Sequence, residues 1–255
     1  MEIEKLIWGP VPDGFGKMVD ERGYRLLVRQ DRIAHIDPSL WDGGETAQAH
    51  LHGRSPLRTC QLPSGETGLI RSYRHGGFFR ALTGSWFFTW PPRPFRELAI
   101  TEELRQRGFP TVEIYAACIR RGLGPFYRGW LVSKRLPGAE DLWSALQSGL
   151  VARVGQRAAL EAVAQSVRRM HREGVYHSDL NLKNILLRVE NGAVAGYIID
   201  FDKAKLFLGQ LPPALVEKNL ARLLRSARKL DPDHKYLSAE SWKDLVTLYH
   251  EARDA

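Results

Sequence analysis

The chain has 255 residues, 37 Lys and Arg against 29 Asp and Glu, a net charge of +8 and only two cysteines, Cys60 and Cys118. That length and a 44% apolar content suit one large domain or two small lobes with a real core, and exclude a disordered or fibrous chain. Two unclustered thiols exclude a disulfide scaffold, suggest no zinc site and point to a reducing compartment; no run of 18 uninterrupted apolar residues offers a membrane-spanning helix.

Met1–Pro10 carries Glu2 and Glu4 rather than the apolar core of a signal peptide, so the chain reads as soluble and cytoplasmic. Its positive charge calls for an anionic partner: nucleic acid, a membrane surface or a phosphorylated substrate. Residues 1–52 hold short apolar stretches, Tyr24–Gln30 and Arg32–Ile36 among them, broken by Gly and Pro, and read as peripheral strands or loops. Leu57–Leu62 and Thr67–Tyr73 flank Pro63-Ser64-Gly65-Glu66 as a hairpin. Pro94 opens a helix to Arg107, closed by Gly108 and Pro110. Thr111–Ile119 and Trp130–Arg135 read as strands, and Pro137-Gly138 as a hinge that divides lobe 1–136 from lobe 137–255.

Beyond the hinge, Leu160, Val163, Ala164, Val167, Met170 and His171 follow the spacing of one buried helix face, with Gly174 as its cap. Asn184–Val189 and Tyr197–Phe201 read as strands joined through Asn191-Gly192, and two amphipathic helices follow near Ala214–Leu230 and Ala239–Arg253. A sheet-rich first half and a mainly helical second half make the fold class α+β with two lobes.

The chemistry is concentrated in Val175–Leu187, between a helix and a strand, and in Ile199-Asp200-Phe201-Asp202. Asp179, Asn184 and Asp200 leave the ends of adjacent elements, and phosphoryl transfer needs such a set. One carboxylate orients the acceptor hydroxyl and takes its proton, while a carboxylate and an amide hold Mg²⁺ against the phosphates. His177-x-Asp179-x₄-Asn184 followed by Asp200-Phe201-Asp202 resembles the catalytic loop and metal-binding triplet of protein kinases. The resemblance implies Asp179 as base, Asn184 and Asp200 as metal ligands, and a packed structural role for His177. It also asks for a cation on a strand and a helical Glu to orient it. Arg71, in Leu69–Arg74, stands where protein kinases carry Lys, and Glu97 lies early in the predicted helix; Arg74 is the alternative clamp if the strand shifts. Gly53, in Gly53-Arg54-Ser55, is the candidate phosphate-covering turn, and Ser178 lacks a His/Asp partner for hydrolase chemistry.

These departures are similar to the lipopolysaccharide core kinases, whose "LRHYRRGG" strand and loop match Leu69–Gly77, and whose "NLxRLxRSLxK" segment matches Asn219–Lys229. The resemblance covers about residues 50 to 245 and is closest to the 3-deoxy-D-manno-octulosonic acid (Kdo) kinases. It implies a protein-kinase-like fold, ATP and Mg²⁺ as cofactors, and phosphorylation of a Kdo hydroxyl on Kdo–lipid A at the cytoplasmic face of the inner membrane. A core heptose as acceptor and a pseudokinase scaffold are the alternatives. Phe78-Phe79 and Trp86-Phe87-Phe88-x-Trp90 lie among Arg71, Arg74, Arg80, Arg93 and Arg96, a mixture suited to an anionic membrane surface. Arg222, Arg225 and Lys229 on one helix face offer further lipid-phosphate contacts. No Ala-Pro-Glu element follows Asp200, which argues against a protein substrate. No obligate protein partner is inferred, and no recognition motif supports nucleic acid.

Overall fold

The structure is a computed structural model that describes residues 6–31, 48–49, 57–62, 65–74 and 85–251. The chain divides into two compact units, Met1–Glu103 with Val112–Arg135, and Leu104–Thr111 with Leu136–Ala255. The division is therefore not a single cut: Leu104–Thr111 side with the second unit. Phe109 packs edge-on against Phe201, with ring centroids 6.2 Å apart, and the Pro110 carbonyl accepts from the Ile198 amide at 3.2 Å.

The first unit is built on a seven-stranded antiparallel sheet, β1 Phe15–Val19, β2 Tyr24–Arg29, β3 Gln48–Ala49, β4 Leu57–Gln61, β5 Thr67–Ser72, β6 Ile114–Arg121 and β7 Tyr127–Lys134, in the order β1-β2-β6-β7-β5-β4-β3. Alternation along the strands feeds two apolar layers. Leu27, Ala117, Ile119 and Leu131 face a cluster with Phe95 and Leu98 of helix α1 (Arg93–Gln106). Leu26, Val28, Cys118 and Val132 face a second cluster that holds Cys60 and Ile70. The segment read as peripheral thus supplies integral strands, with Leu26, Leu27 and Val28 fully buried. Its Gly and Pro punctuation marks turns rather than an edge to the core. The strands expected at 111–119 and 130–135 run instead over Ile114–Arg121 and Tyr127–Lys134, because the antiparallel register pairs Arg121 with Tyr127 around a short turn. Arg32–Ile36 lies outside the described residues.

The second unit opens with β8 (Glu140–Asp141) and the short helices α2 (Leu142–Gln147) and α3 (Leu150–Val154). The Asp141 carboxylate caps α2 by accepting from the Ser144 amide at 3.0 Å. Helix α4 (Gln156–Arg172) carries its apolar stripe against β11 (Ala193–Ile198), which pairs with β10 (Ile185–Glu190) and through it with β8. Gly196 permits the close approach, since a Cβ there would stand 2.6 Å from the Ala162 carbonyl oxygen. Asn191 and Gly192, both at positive φ, form the tight β10–β11 turn. Strand β11 ends at Ile198, not at Phe201. The apolar run continues past the last ladder pair because Phe201 fills a core position against Phe109 and His177. After β9 (Val175–Tyr176) and β12 (Lys205–Leu206), helices α5 (Pro213–Leu230) and α6 (Ala239–Glu251) close the unit. The α+β expectation of a sheet-rich unit and a mainly helical unit holds.

Candidate active site

In the first unit, Arg71 sits one residue before the end of β5, and Glu97 lies in the second turn of α1. Arg71 Nη2 donates to the Glu97 carboxylate and to the Tyr73 hydroxyl at 3.2 Å, and Tyr73 donates its own proton to the same carboxylate oxygen of Glu97. Glu97 is only 3% exposed, so its charge is sustained by these donors. The Arg71 guanidinium also lies over the Tyr73 ring, 4.9 Å from its centroid. Arg74 lies beyond the strand and is exposed. The helix that presents Glu97 is fixed at its start by Tyr127, whose hydroxyl accepts from the Arg93 amide at 2.9 Å. Phe87 is buried in this wall under the Arg93 guanidinium, 4.5 Å from its ring centroid. Gly53, Phe78, Phe79 and Arg80 lie outside the described residues.

In the second unit the loop between β9 and β10 is a chain of short-range bonds. The His177 ring is buried, and its Nδ1 accepts from the Asp179 amide at 3.2 Å. Its Nε2 therefore carries the proton and donates to the Ile199 carbonyl at 3.1 Å. Burial holds this imidazole below its ordinary pKa, against the opposing bond to Ile199 and the carboxylates of Asp200 and Asp179. Both ring nitrogens are committed, so His177 is a strut and not a base. The Asp179 side chain is exposed, while its carbonyl accepts from Asn184 Nδ2 at 2.9 Å and from Asn181 Nδ2 at 2.7 Å. A 3₁₀ turn, Leu182–Asn184, then delivers Asn184 to the start of β10. The Asn184 carbonyl accepts from the Ile199 amide at 3.0 Å, which draws the residue before Asp200 alongside. Asp200 itself is held at φ +69°, a left-handed conformation that non-glycine residues adopt at a cost of about 1 kcal/mol or more and that concentrates at functional sites.

Sequence reasoning missed the groups that hold these two arrangements. Tyr73 completes the Arg71–Glu97 pair, and its only signal was the i, i+2 spacing that puts both residues on one face of a strand. Asn219, fully buried on α5, accepts from the His177 amide at 3.2 Å and donates Nδ2 to the His177 carbonyl at 2.7 Å. Two turns later Ser226 accepts from the Leu182 amide at 3.2 Å. One helix thus grips the loop on both sides of Asp179. The signal was a polar residue on the buried stripe Asn219, Leu223, Ala227. On the same helix Arg225 and Lys229 are exposed, whereas Arg222 is half-buried.

The donor set fits a hard divalent cation. Asn184 spends its Nδ2 on the Asp179 carbonyl, which leaves its amide oxygen as the atom a metal would meet, and the Ile199–Asn184 backbone bond brings Asp200 alongside. Two protein oxygens suit Mg²⁺, which keeps waters and substrate phosphates as its remaining ligands. Among the described residues no group of three His, Cys, Asp or Glu side chains forms an all-protein metal cage.

Comparison with known proteins gives one consistent result. Residues 39–249 match the family described as the lipopolysaccharide kinase (Kdo/WaaP) family. A 3-deoxy-D-manno-octulosonic acid kinase of Vibrio vulnificus (strain CMCP6) is 35% identical over 207 residues, covering 79% of this chain and 82% of that protein. The enzyme of the same description from Xanthomonas axonopodis pv. citri (strain 306) is 33% identical over 219 residues, covering 82% of each. Among solved structures, WaaP in complex with acyl carrier protein superposes with a TM-score of 0.58 at 20% identity, covering 90% of each chain, a likeness of fold.

Proposed function

The chain belongs to the lipopolysaccharide kinase (Kdo/WaaP) family, and from that premise we propose that it moves the γ-phosphoryl group of ATP to a hydroxyl of the Kdo sugar on Kdo–lipid A. It would do so as a peripheral protein at the cytoplasmic face of the bacterial inner membrane; among the described residues no helix is long and apolar enough to cross a membrane. The observation that carries the reading, beside the family, is the Asp179–Asn184 turn. The bond from Asn184 Nδ2 to the Asp179 carbonyl couples the proposed base to the proposed metal ligand.

Asp179 accepts the proton of the attacking sugar hydroxyl on its exposed carboxylate, which aims the oxygen at the γ-phosphorus. Arg71 offers fixed N–H donors to the nucleotide phosphates, with Glu97 and Tyr73 holding the guanidinium in one orientation. Gly53, from the Gly53-Arg54-Ser55 sequence, is proposed to cover those phosphates. Asn184 and Asp200 would hold Mg²⁺, which when bound neutralises phosphate charge. Most of the acceleration then comes from positioning and charge neutralisation around a loose transition state.

The test is label transfer from γ-labelled ATP to Kdo–lipid A precursor and to the same lipid lacking Kdo. Label is expected only in the Kdo-bearing lipid. Asp179→Ala should lower kcat by about 10²–10⁴-fold while leaving the KM for ATP within about twofold. Near-normal turnover by Asp179→Ala would remove it as the base, and label in the lipid lacking Kdo would reassign the acceptor.

A further inference from the structure

One end of the seven-stranded sheet gathers apolar side chains that the fold does not use. Val19, Phe88, Leu123 and Phe126 are 60%, 65%, 93% and 43% exposed, and they are half of the large exposed apolar side chains among the described residues. Register places them together: Val19 pairs with Arg25 at the β1–β2 turn, Arg25 pairs with Ile119 near the end of β6, and Phe87 bridges to Tyr127 at the start of β7. Leu123 and Phe126 occupy the β6–β7 turn itself, and the Phe126 ring meets Phe88 edge-on at 6.3 Å.

The turn is built stiff. The Trp86 ring lies close against Gly122, where a Cβ would stand 2.3 Å from it. Trp90 Nε1 donates to the Pro125 carbonyl at 3.2 Å, and Arg121 donates to the Gly124 carbonyl at 3.2 Å. Around the apolar tip stand exposed arginines whose guanidinium groups lie over rings: Arg128 over Trp86 at 4.5 Å, Arg121 over Trp90 at 5.9 Å and Arg120 over Tyr24 at 5.3 Å. Arg25 adds a fourth cation, its guanidinium pKa lowered by burial and then by the charge of Arg121, a crowding that an anion relieves. Asp20 and Glu21 in the β1–β2 turn are the opposing acids, and Asp20 already accepts from the Arg22 and Tyr24 amides.

Four exposed apolar side chains are too few for a stable protein interface, which needs roughly 800 Å² per partner. Apolar residues backed by tryptophan and ringed by arginine match the layer where acyl chains give way to lipid phosphates. We propose that this sheet end is a membrane anchor: Leu123, Phe126 and Phe88 enter the interface of an anionic bilayer, and Arg120, Arg121 and Arg128 lie against its phosphates. The inference deepens the function proposed above and rests on its lipid-borne acceptor.

The experiment is co-flotation of the full chain with vesicles of phosphatidylcholine alone and of phosphatidylcholine mixed with phosphatidylglycerol. Wild type should float with the anionic vesicles and be released by salt. The Leu123→Glu/Phe88→Ser variant should lose at least about tenfold in partitioning. The Arg120→Gln/Arg121→Gln/Arg128→Gln variant should lose the preference for phosphatidylglycerol. Both should keep the wild-type thermal melt and full phosphorylation of a deacylated, water-soluble Kdo acceptor. Undiminished flotation of the first variant, or wild-type flotation indifferent to phosphatidylglycerol, overturns the anchor. So does a variant that changes the oligomeric state but not flotation, which would make the tip a self-association surface. Vesicle binding without phosphorylation of any Kdo acceptor would instead sink the proposed function and leave the anchor standing.

Discussion

Arg71 makes contacts that a lysine cannot reproduce together. Its guanidinium donates to Glu97 and Tyr73 and lies over the Tyr73 ring, so one planar group is fixed by a charge, a hydroxyl and a π face. A lysine there keeps the charge as a single mobile point. Arg71→Lys is therefore expected to fold normally and to raise the KM for ATP by about tenfold, read from initial rates at saturating acceptor. Arg71→Ala strips the guanidinium from a buried carboxylate and should in addition cost about 3 kcal/mol in urea unfolding. An unchanged KM in Arg71→Lys would remove Arg71 from the nucleotide. Legibility at this scale followed chemistry. Asp179, Asn184 and Asp200 stand at a fixed spacing in sequence, and the turn that couples the first two is made of bonds within five residues. Tyr73 was silent because a buried tyrosine reads as core until its hydroxyl is seen to face Glu97.

Helix α5 acts on the loop between β9 and β10 as a clamp, with Asn219 on the His177 backbone and Ser226 on the Leu182 amide. Neither residue touches the groups proposed to react, so both are positioning residues. Asn219→Ala leaves the His177 amide and carbonyl to find other partners and lets the loop drift. A misplacement of about 1 Å costs roughly 10²-fold in rate, so kcat should fall between about 10- and 100-fold with the KM for ATP within about twofold. Asn219→Gln should recover part of that loss. Equal loss in both parameters, or no loss, would make the clamp a matter of stability alone. Helices with long apolar periodicity were legible in sequence, as were the β4–β5 and β10–β11 hairpins, whose turns carry glycine. Strand ends were not. Ile199 and Phe201 extend the apolar pattern of β11 although the ladder stops at Ile198, because a residue can be buried by a neighbouring ring as well as by a sheet. The Arg29–Glu102 pair at 2.6 Å, which ties β2 to α1, had no local signal, since its partners are 73 residues apart.

Across the second unit the clamp continues into a buried relay. Asn219 Oδ1 faces His171 Nε2 at 3.2 Å, and the Tyr249 hydroxyl faces His171 Nδ1 at 2.9 Å. Burial, opposed by the Asn219 bond and aided by the neighbouring His177, pushes the His171 pKa down to about 4. Between the ordinary imidazole value near 6.5 and that figure, the unfolded chain binds a proton that the native chain refuses. Stability is thus fully present above about pH 6.5 and is lost as pH falls toward 4, by at most about 3 kcal/mol. Urea unfolding measured across this window should show the decline, and His171→Gln should flatten its slope by one proton. An identical slope would mean that His171 titrates alike in both states. The same relay sets an order of events during synthesis. Asp179 leaves the ribosome 219 − 179 = 40 residues before Asn219 and 249 − 179 = 70 residues before Tyr249. The bonds within the Asp179–Asn184 turn are local and need nothing further along the chain, whereas those from Asn219 and Ser226 form only once α5 has been translated.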